Sequence, residues 1–449
     1  MKLTFILFFA SFVMIVKQID SLTDAQCIRK YTDPDDKTKF VCVCTETDCD
    51  DIEPLGAAVS DEHPVIGFGG AMTDATVINI NKLPAGLRDK AIDSYFGPSG
   101  KEFLGTPFIF GGDFLVFGSP WSAPAWMKTN GHMKGGGKLK NGQEYDETYA
   151  KYLTRFIEEY AGQGVDIWAL TVQNEPSTGT DESYHFQTMY FSAVMERDFV
   201  RDYLKPALTS SPVASKTKIM IFDDFRANIK EFVDTVLEDP TVAEMVDGIA
   251  VHWYGDDRTD PDFLTNTSIK HPNHFILSSE ACVEGTPVLG LFHNAIRYAS
   301  DIIEDLNHRV SGWVDWNLVL DVQGGPNWVA NYVDSPLIIA PDNKAFYKQP
   351  LFYAMGHFRP ASLCIHCFSR FVARGARRVS LTLSSATLQA VAFINPDRSL
   401  VIVLLNPSTS SVQVGVGMHS IPLKATSINT IFIRNHHLVP PSIPPITTL

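Results

Sequence analysis

The feature that most constrains this fold is an alternation of short apolar segments with amphipathic helical segments between Val65 and Phe358. Short apolar runs bounded by turn residues are typical of buried strands, and strand–helix repeats favour a parallel sheet. A long series of such repeats closes into a barrel with the helices outside. The sequence therefore predicts an α/β protein built on a (β/α)8 TIM-type barrel. The strand candidates are HPVIGFGG, DFLVFGSPW, DIWALTVQNE, KIMIFDDF, DGIAVHWYG, NHFILSSEA and SGWVDWNLVL.

After Arg377 the apolar pattern changes to alternation with a period of two, which indicates half-buried antiparallel strands. The segments VSLTLSS, LQAVAFIN, SLVIVLLN, VQVGVG and NTIFIRN predict an appended antiparallel β-sandwich. The chain then divides into a signal peptide, a Cys-rich segment joining the sandwich, the catalytic barrel, the C-terminal sandwich and a proline-rich tail. The corresponding residues are 1–21, 22–62, 63–358, 359–436 and 437–449.

The N-terminus predicts export from the cytosol. Lys2 precedes an apolar run from Leu3 to Val16 that is short for a bilayer span, so a cleaved signal is favoured over an uncleaved anchor. In an exported chain the clustered Cys27, Cys42, Cys44 and Cys49 favour two local disulfides, with zinc as the competing interpretation. Of the three possible pairings we favour Cys27 with Cys42 and Cys44 with Cys49. The sequon at Asn266 predicts one glycan on the surface.

The charge balance excludes one class of partner. The chain carries 51 acidic and 37 basic residues and a formal net charge of -14. A polyanion would be repelled over most of such a surface, so we expect no binding of nucleic acid.

Two glutamates at strand ends carry the predicted chemistry. Glu175 ends the segment TVQNEP and Glu280 lies in LSSEAC, each directly after an apolar strand. Taken alone, a glutamate at a strand end is often a helix cap or a surface charge. In a barrel, however, the ends of non-adjacent strands face each other across one mouth. Retaining glycoside hydrolysis needs such a pair about 5 to 5.5 Å apart, one protonated and one ionised.

Neighbouring side chains suit a sugar. Asn174, next to Glu175, can hydrogen-bond a sugar 2-hydroxyl, a contact that strengthens in the transition state. Four aromatic side chains near strand ends offer apolar faces for a pyranose ring, although ordinary aromatic packing explains each of them equally well. They are Trp121, Tyr184, Tyr254 and Trp316.

Longer segments of the chain resemble glycoside hydrolase family 30, in particular its lysosomal glucosylceramidases. The resemblance extends over most of the chain from Cys27 to Phe358, including the Cys-rich VCVCTETDCD. It is carried by GFGGAMTDA, SPWSAPAWMKTNG, QNEPSTG, GIAVHWYGD, SSEACV, DWNLVLDVQGGPNWVANYVDSPLI and FYKQPLFYAMGHF.

This resemblance implies a retaining β-glucosidase that cleaves glucosylceramide into ceramide and glucose, with no metal and no cofactor. It implies Glu175 as the acid/base and Glu280 as the nucleophile. It further implies help from a saposin-type activator and anionic lipid, peripheral membrane contact, and a location in the lysosome lumen or outside the cell. The residues implied to line the glucose site are Trp121, Asn174, Tyr184, Phe186, His252, Tyr254, Trp316 and Asn331.

The chain departs from the family pattern in its first third. Only a short segment separates the helix that ends near Tyr95 from SPW at Ser119, and parallel neighbours need a crossover of a dozen or more residues. One β/α unit of the barrel is therefore expected to be missing. In the family this unit carries an Arg-Val-Pro motif and an aspartate that holds the outer glucose hydroxyls, and no arginine lies between Arg88 and Arg155. The role of that aspartate is not transferred to Asp113.

The cysteines outside the N-terminal cluster are Cys282, Cys364 and Cys367. RPASLCIHCF, from Arg359 to Phe368, interrupts the family pattern as an insertion, and its CxxC favours a strained disulfide or two free thiols over a redox or metal pair. Cys282, beside the expected nucleophile, is then predicted to be a free thiol.

Three hypotheses follow for the function. The first is a working retaining β-glucosidase acting on glucosylceramide. The second is a relative that binds glycolipid without turnover, because catalysis needs precise positioning and the barrel lacks a unit. The third is a family member acting on another β-linked glycan. Both glutamates are present, which favours the first hypothesis.

Overall fold

The computed structural model describes residues 64–96, 114–358 and 371–433 apart from 380, 382, 384, 386, 417 and 418, together with short strands at 13–15, 29–31, 40–44 and 447–448. Its strands are β1 Val13–Ile15, β2 Arg29–Tyr31, β3 Phe40–Cys44, β4 Gly67–Gly70, β5 Val116–Gly118, β6 Ile167–Thr171, β7 Lys218–Phe225, β8 Gly248–His252, β9 Phe275–Glu280, β10 Val310–Asp315, β11 Val319–Asp321, β12 Leu337–Ile339, β13 Phe346–Lys348, β14 Arg377–Val379, β15 Gln389–Ile394, β16 Leu400–Asn406, β17 Val412–Val416, β18 His419–Leu423, β19 Ser427–Ile433 and β20 Thr447–Thr448.

The helices alternate with the central strands, as the sequence predicts. They are α1 Asp74–Lys82, α2 Ala85–Phe96, α3 Gln143–Gly162, α4 Ala193–Phe199, α5 Lys205–Ser210, α6 Ile229–Leu237, α7 Pro240–Met245, α8 Asp262–Lys270, α9 Phe292–Asn307 and α10 Pro350–Gly356. A π-helical turn at Val200–Leu204 joins α4 to α5. No helix among these is long and apolar enough to cross a membrane.

Seven parallel strands form the wall of a barrel, which confirms the predicted fold class. Their order is β4-β10-β9-β8-β7-β6-β5, so the first strand pairs with the last, Gly67 to Gly70 alongside Gly312 to Asp315. In the described part of the chain no strand lies between β4 and β5. This is the position at which the short spacing predicts a missing β/α unit. All three residues of β5 are only half-buried, whereas β4, β8 and β10 are buried along their length.

The helices pack on the barrel through apolar stripes with helical spacing. On α3 the buried Tyr149, Leu153 and Ile157 recur every fourth residue, while Glu147 and Lys151 form an exposed ion pair on the opposite side. The barrel interior is filled by side chains that point inward from the strands. Its centre contains Ala169, Met220, Ala250, Leu277 and Val314.

The C-terminal part is an antiparallel sandwich, also as predicted. One sheet has the order β1-β19-β16-β15-β14 and the other β18-β17-β20, and apolar residues of both meet in one cluster that includes Ile402, Val414 and Ile421. The strand β1 lies within the predicted signal peptide, so cleavage would remove its pairing with β19.

The Cys-rich N-terminal segment is predicted to join the sandwich, but its strands pair with a different sheet. The strands β2 and β3 extend a small sheet of β11, β12 and β13, with Cys42 opposite Lys348 and Cys44 opposite Phe346. This pairing gives β13 a hydrogen-bonded neighbour on each side. The sequence pattern shows that β3 is a strand but does not specify its partner.

Several sequence predictions concern residues outside the described part. Cys27, Cys49, Cys364 and Cys367 lie there, so the two N-terminal disulfides and the state of the CxxC pair stay predictions. Asn266 is exposed on α8, and its glycan also stays a prediction.

One buried arginine ties three parts of the barrel together. Arg226, in the turn between β7 and α6, places Nη1 2.8 Å from Glu304 Oε1 of α9 and 3.3 Å from Asp256 Oδ2, which follows β8. Its Nη2 donates to the backbone oxygens of Asp256 and Thr259. Because the side chain is fully buried, its charge depends on these partners.

More acidic groups surround Arg226 than it can neutralise. Asp305 Oδ1 lies 3.7 Å from Nη1, and Asp301 adds a further carboxyl from α9. Burial, together with the charge of Asp301, raises the pKa of Asp256 to about 8 despite Arg226. Burial also raises the pKa of Asp301 to about 7, opposed by the Trp313 hydrogen bond and Arg226. This cluster therefore retains protons in the folded state that the unfolded chain has lost.

We expect the protein to be more stable at pH 5 than at pH 8. Carboxyl pKa values raised by folding stabilise the fold fully below the unfolded pKa, and this stabilisation is lost as the pH rises through the folded values of about 7 and 8. Asp256→Asn should narrow the difference in Tm between the two pH values by at least about 2 °C. Asp257→Asn is the control, because the side chain of Asp257 is 79% exposed. An equal difference in Tm in both variants would contradict this account.

Candidate active site

Polar side chains gather at the carboxyl ends of five neighbouring strands, β6 to β10. Glu175 follows β6, Asp223 lies near the end of β7, His252 ends β8, and Glu280 ends β9. Trp316 follows β10. In parallel barrels these ends share one face, where active sites are built. Four buried ionisable groups, Glu175, Asp223, His252 and Glu280, therefore lie at the mouth of the barrel.

Glu175 and Glu280 meet at this mouth together with His252. One carboxylate oxygen of each glutamate and one ring nitrogen of His252 all lie within 4.8 Å of one another. The two glutamates are 6% and 8% exposed, so little water separates them. The structure thus brings together the two carboxyl groups that the sequence singles out.

The backbone at Glu175 is held in an unusual conformation. Its φ of 41° and ψ of 57° lie in the left-handed region, and Pro176 then begins a single 3₁₀ turn. The Glu175 N–H donates to the backbone oxygen of Asp223, which itself has a φ of 51°. Such conformations are rare outside glycine and asparagine and persist only where surrounding contacts enforce them. Here they turn the Glu175 side chain toward the barrel mouth.

His252 links Glu175 to a buried aspartate. Its Nδ1 lies 2.9 Å from Glu175 Oε1, and its Nε2 lies 3.1 Å from Asp223 Oδ1. Asp223 also accepts hydrogen bonds of 2.6 Å from the hydroxyls of Ser119 and Ser279. This third carboxylate, which is not among the predicted site residues, holds the imidazole from behind.

The surroundings favour a charged imidazole. Burial alone would lower the pKa of His252, but the nearby carboxylates of Glu280 and Asp223 outweigh it and raise this pKa well above its ordinary value. The same partnership lowers the pKa of Asp223 despite its burial. An imidazolium donates through both nitrogens and has no lone pair for a metal. The group of Glu175, His252 and Glu280 is therefore better suited to proton transfer than to binding an ion.

Burial strongly affects the ionisation of Glu280. Burial, with the charge of Glu175, raises the pKa of Glu280 to about 8, although His252 and the Tyr254 hydroxyl oppose the shift. The Tyr254 hydroxyl donates to Glu280 Oε1 at 2.9 Å. Because two carboxyl groups this close titrate as a unit, the pair holds one proton over a wide pH range. One group can then donate a proton while the other attacks an electrophile.

Half-buried aromatic rings surround the two glutamates. The rings of Trp121 and Trp316 are 4.8 Å apart between centroids, and those of Tyr184 and Phe186 are 4.7 Å apart. The Tyr184 hydroxyl donates to Glu175 Oε2 at 3.3 Å. These rings are only half-buried, so their faces are open to a ligand at the mouth.

Asn174 and Asn331 differ in their placement. Asn174 is buried, its N–H donates to the backbone oxygen of Pro120, and its Oδ1 accepts no hydrogen bond from the described residues. A buried polar atom of this kind is available to a ligand. Asn331 is exposed on the loop after β11, where its N–H donates to Asn327 Oδ1. Its predicted role in glucose binding stays a prediction.

A cavity opens on the Glu175 side of the mouth. Its volume is about 780 Å³. Tyr184 lines it and also contacts Glu175, so this ring lies between the cavity and the carboxyl pair. The other lining residues are Thr129, Asn130, His132, Lys134, Gly135, Gly137, Glu182, Ser183 and His185.

Two further residues of the site have signals in the sequence. The strand KIMIFDDF ends in paired aspartates, and a buried strand that finishes in Asp223 and Asp224 predicts a placed carboxylate. Cys282 is a buried free thiol, as predicted, and it contacts Tyr254. The participation of Ser119 and Ser279 has no comparable signal, because serine is common at strand ends.

The chain matches two domain families along its length. Residues 108–361 match the glycosyl hydrolase family 30 TIM-barrel domain, and residues 375–431 match the glycosyl hydrolase family 30 beta sandwich domain. It is 37% identical to putative glucosylceramidase 4 of Caenorhabditis elegans, over 82% of this chain and 86% of that protein. It is 36% identical to the lysosomal acid glucosylceramidase of Mus musculus, over 78% of this chain and 76% of that protein.

Solved structures agree with this fold. The structure of SrfJ from Salmonella typhimurium superimposes with a TM-score of 0.74, at 22% identity, over 91% of this chain and 95% of that one. The endo-beta1,6-glucanase BT3312 superimposes with a TM-score of 0.70, at 20% identity, over 88% and 99%.

We expect Asp223→Asn to lower the pKa of His252 by at least about one pH unit, because the variant removes the carboxylate that faces Nε2. NMR of histidine labelled with carbon-13 measures this pKa, with His252→Gln assigning the signal. Asp257→Asn, outside the network, provides the matched control. An unchanged pKa of His252 in Asp223→Asn would show that Glu175 and Glu280 keep the imidazole protonated without Asp223.

Proposed function

Because the chain belongs to glycoside hydrolase family 30 and is a glycosidase, we propose that it cleaves the β-glucosyl bond of glucosylceramide with retention at the anomeric carbon. The observation that carries this proposal is the distance within 4.8 Å between carboxylate oxygens of Glu175 and Glu280. Retaining enzymes have carboxyl groups about 5 to 5.5 Å apart, whereas inverting enzymes need about 6.5 to 9.5 Å to admit a water.

The first step forms a covalent bond to Glu280. A carboxylate oxygen of Glu280 attacks the anomeric carbon while Glu175 donates its proton to the glycosidic oxygen. The bond from that carbon to oxygen breaks, ceramide leaves as an alcohol, and glucose remains as an ester of Glu280. Glu175 becomes a carboxylate in this step, and the His252 imidazolium at 2.9 Å stabilises the new charge.

The second step reverses the proton transfer. The Glu175 carboxylate takes a proton from water, and the water oxygen attacks the anomeric carbon from the face that ceramide left. The ester bond breaks, glucose is released in the β configuration, and Glu280 regains its negative charge. Tyr254 donates to that carboxylate, which makes Glu280 a better leaving group.

Sugar binding is assigned to the open polar and aromatic groups. The Asn174 amide, whose oxygen accepts no hydrogen bond from the described residues, suits the 2-hydroxyl of the sugar. Trp316 and Trp121 offer an apolar face at the mouth for the ring. Because Glu175 protonates the leaving oxygen, the ceramide end is expected on the side of Tyr184 and the adjoining cavity.

The choice of glucosylceramide rests on the named relatives. Proteins named glucosylceramidase match at 33% to 37% identity, whereas two fungal endo-1,6-beta-D-glucanases match at 26%. Another β-linked glycan is the alternative substrate. A role restricted to glycolipid binding is less favoured, because the carboxyl pair, the imidazole and the tyrosine are all in contact.

We further propose that the enzyme works in the lysosome lumen or outside the cell, assisted by a saposin-type activator and anionic lipid. The apolar N-terminal run supports export, and a lipid substrate requires peripheral contact with a membrane surface. Burial raises the pKa of carboxyl groups such as Asp256, so the fold is expected to be more stable at low pH, which agrees with an acidic compartment. Recovery of the full chain from lysosomes or from the medium would test this location. Binding of the protein to membranes with anionic lipid, and its loss on membranes without it, would test the lipid requirement.

The catalytic roles can be separated with azide, a small anionic nucleophile. In Glu175→Ala, a dinitrophenyl β-glucoside still forms the glycosyl-enzyme because its leaving group needs no proton, and azide should then give the β-glucosyl azide. In Glu280→Ala, azide replaces the missing carboxylate on the opposite face and should give the α-glucosyl azide. NMR of the products distinguishes the two anomers.

Glucosylceramide itself has a poor leaving group, so Glu175→Ala should lower its turnover by about 10² to 10⁴-fold. Glu280→Gln should lower turnover of both substrates by at least as much. Glu147→Gln, on the exposed side of α3, is the matched control. The same azide anomer from both alanine variants would contradict the assigned catalytic roles. Cleavage of a 1,6-linked β-glucan faster than glucosylceramide would identify that glycan as the substrate instead.

The pH profile tests the shared proton. Activity requires one protonated and one ionised carboxyl group, so kcat/KM should fall as the pH rises through about 8, where the pair loses its last proton. The charge of Glu175 contributes to the raised pKa of Glu280. With the activated glucoside, whose leaving group needs no proton, Glu175→Gln should show no decrease at alkaline pH. A decrease near pH 8 that persists in this variant would assign the proton to another group.

A further inference from the structure

A buried thiol lies two residues beyond Glu280 and outside the chemical steps described above. Cys282 is 2% exposed, and its sulfur lies 3.1 Å from the Tyr254 hydroxyl oxygen. The same hydroxyl lies 2.9 Å from Glu280 Oε1. Tyr254 is therefore held between a thiol on one side and the proposed nucleophile on the other.

The chemistry of these three groups fixes the direction of both hydrogen bonds. An ionised Glu280 can only accept, so the single proton of the Tyr254 hydroxyl points toward it. The contact with Cys282 must then run from the S–H group to the tyrosine oxygen. Donation in this sense polarises the O–H bond and strengthens its donation to Glu280.

The surroundings of Cys282 keep its thiol protonated. Its neighbours include the apolar side chains of Leu320, Val333 and Ile338, and burial raises the pKa of this thiol well above its ordinary value. A neutral thiol in an apolar cluster has Tyr254 as its polar contact.

We propose that Cys282 is a positioning residue whose S–H group holds the Tyr254 hydroxyl toward Glu280 and so favours the ionised, nucleophilic carboxylate. This inference rests on the proposed role of Glu280. The thiol touches neither the sugar nor the reacting carbon. In the glycosyl-enzyme, where Glu280 is an ester, the same contact keeps the tyrosine hydroxyl in place until the carboxylate re-forms.

Variants at Cys282 separate hydrogen bonding from packing. Cys282→Ala and Cys282→Val both remove the donor, and valine still fills the apolar site. Cys282→Ser keeps a donor. Removing one hydrogen bond should lower kcat/KM for the activated glucoside by about three- to tenfold in the alanine and valine variants. The acidic limb of the pH profile, which reports ionisation of Glu280, should move to higher pH, and serine should restore much of both.

A double-mutant cycle with Tyr254→Phe gives the decisive comparison, because phenylalanine removes the oxygen through which Cys282 acts. In that background Cys282→Val should change kcat/KM by less than about twofold. If the two substitutions instead multiply, the cysteine acts through packing and the proposal is overturned. Equal activity of the serine and valine variants would overturn it as well.

A second measurement does not depend on turnover. Carbon-13 NMR of labelled glutamate, with Glu280→Gln assigning the signal, follows ionisation of the Glu280 carboxyl. Its pKa should rise in Cys282→Val and not change further when Tyr254→Phe is already present. A shift of this kind in a protein without glycosidase activity would support the positioning role while excluding the proposed function. An unshifted Glu280 signal in Cys282→Val would overturn the positioning role.

Discussion

The structure depends on holding two buried carboxyl groups closer together than their charges allow. With oxygens of Glu175 and Glu280 within 4.8 Å and little solvent, repulsion is strong unless one proton or a cation intervenes. His252 supplies the cation, and the pair retains the proton. Asp223 in turn keeps His252 charged, and the hydroxyls of Ser119 and Ser279 keep Asp223 satisfied. Each of these groups is electrostatically unfavourable when buried without the next one. The left-handed backbone at Glu175 and Asp223 is the local strain that accompanies this arrangement.

A similar balance occurs behind the site, with a different outcome. Around Arg226 the carboxyl groups outnumber the cation, so the cluster is most favourable when some of them are protonated. At the mouth, His252 lies between Asp223 and Glu175 and can stabilise the charge that forms on Glu175 when it gives up its proton. One arrangement therefore ties stability to low pH, and the other keeps a transferable proton next to a nucleophile. Both use burial to raise carboxyl pKa values, and they differ in where the cation sits.

The sequence predicts the fold and the carboxyl pair because both depend on local pattern. Apolar strands alternating with helices specify a parallel barrel, and any carboxylate at a strand end must then lie at its mouth, as Glu175 and Glu280 do.

The hydrogen bonds that support the carboxyl pair are harder to predict from the sequence. Asp223 reaches His252 from the neighbouring strand β7, and Cys282 reaches Tyr254 from the end of the neighbouring strand β9. Such contacts depend on side-chain directions that a single sequence does not encode locally. The pairing of β3 with β13 is unpredictable for the same reason, because the period-two pattern identifies a strand but not the strand it pairs with.

Among the described strands β4 and β5 are not paired, and the location of this gap is compatible with chemistry. The glutamates, Asp223, His252 and Trp316 come from β6 to β10, in which each strand pairs with the next, and β4 pairs with β10. The ring of Trp121, after β5, lies 4.8 Å between centroids from that of Trp316, after β10, so the two rings connect β5 at the mouth to β10, the strand next to β4. The reacting carbon would therefore meet an intact set of partners. If the predicted β/α unit is missing, the sugar hydroxyls that point toward β4 and β5 would meet fewer partners, and the effect would fall on substrate discrimination, since contacts remote from the reacting bond supply binding energy used in the transition state.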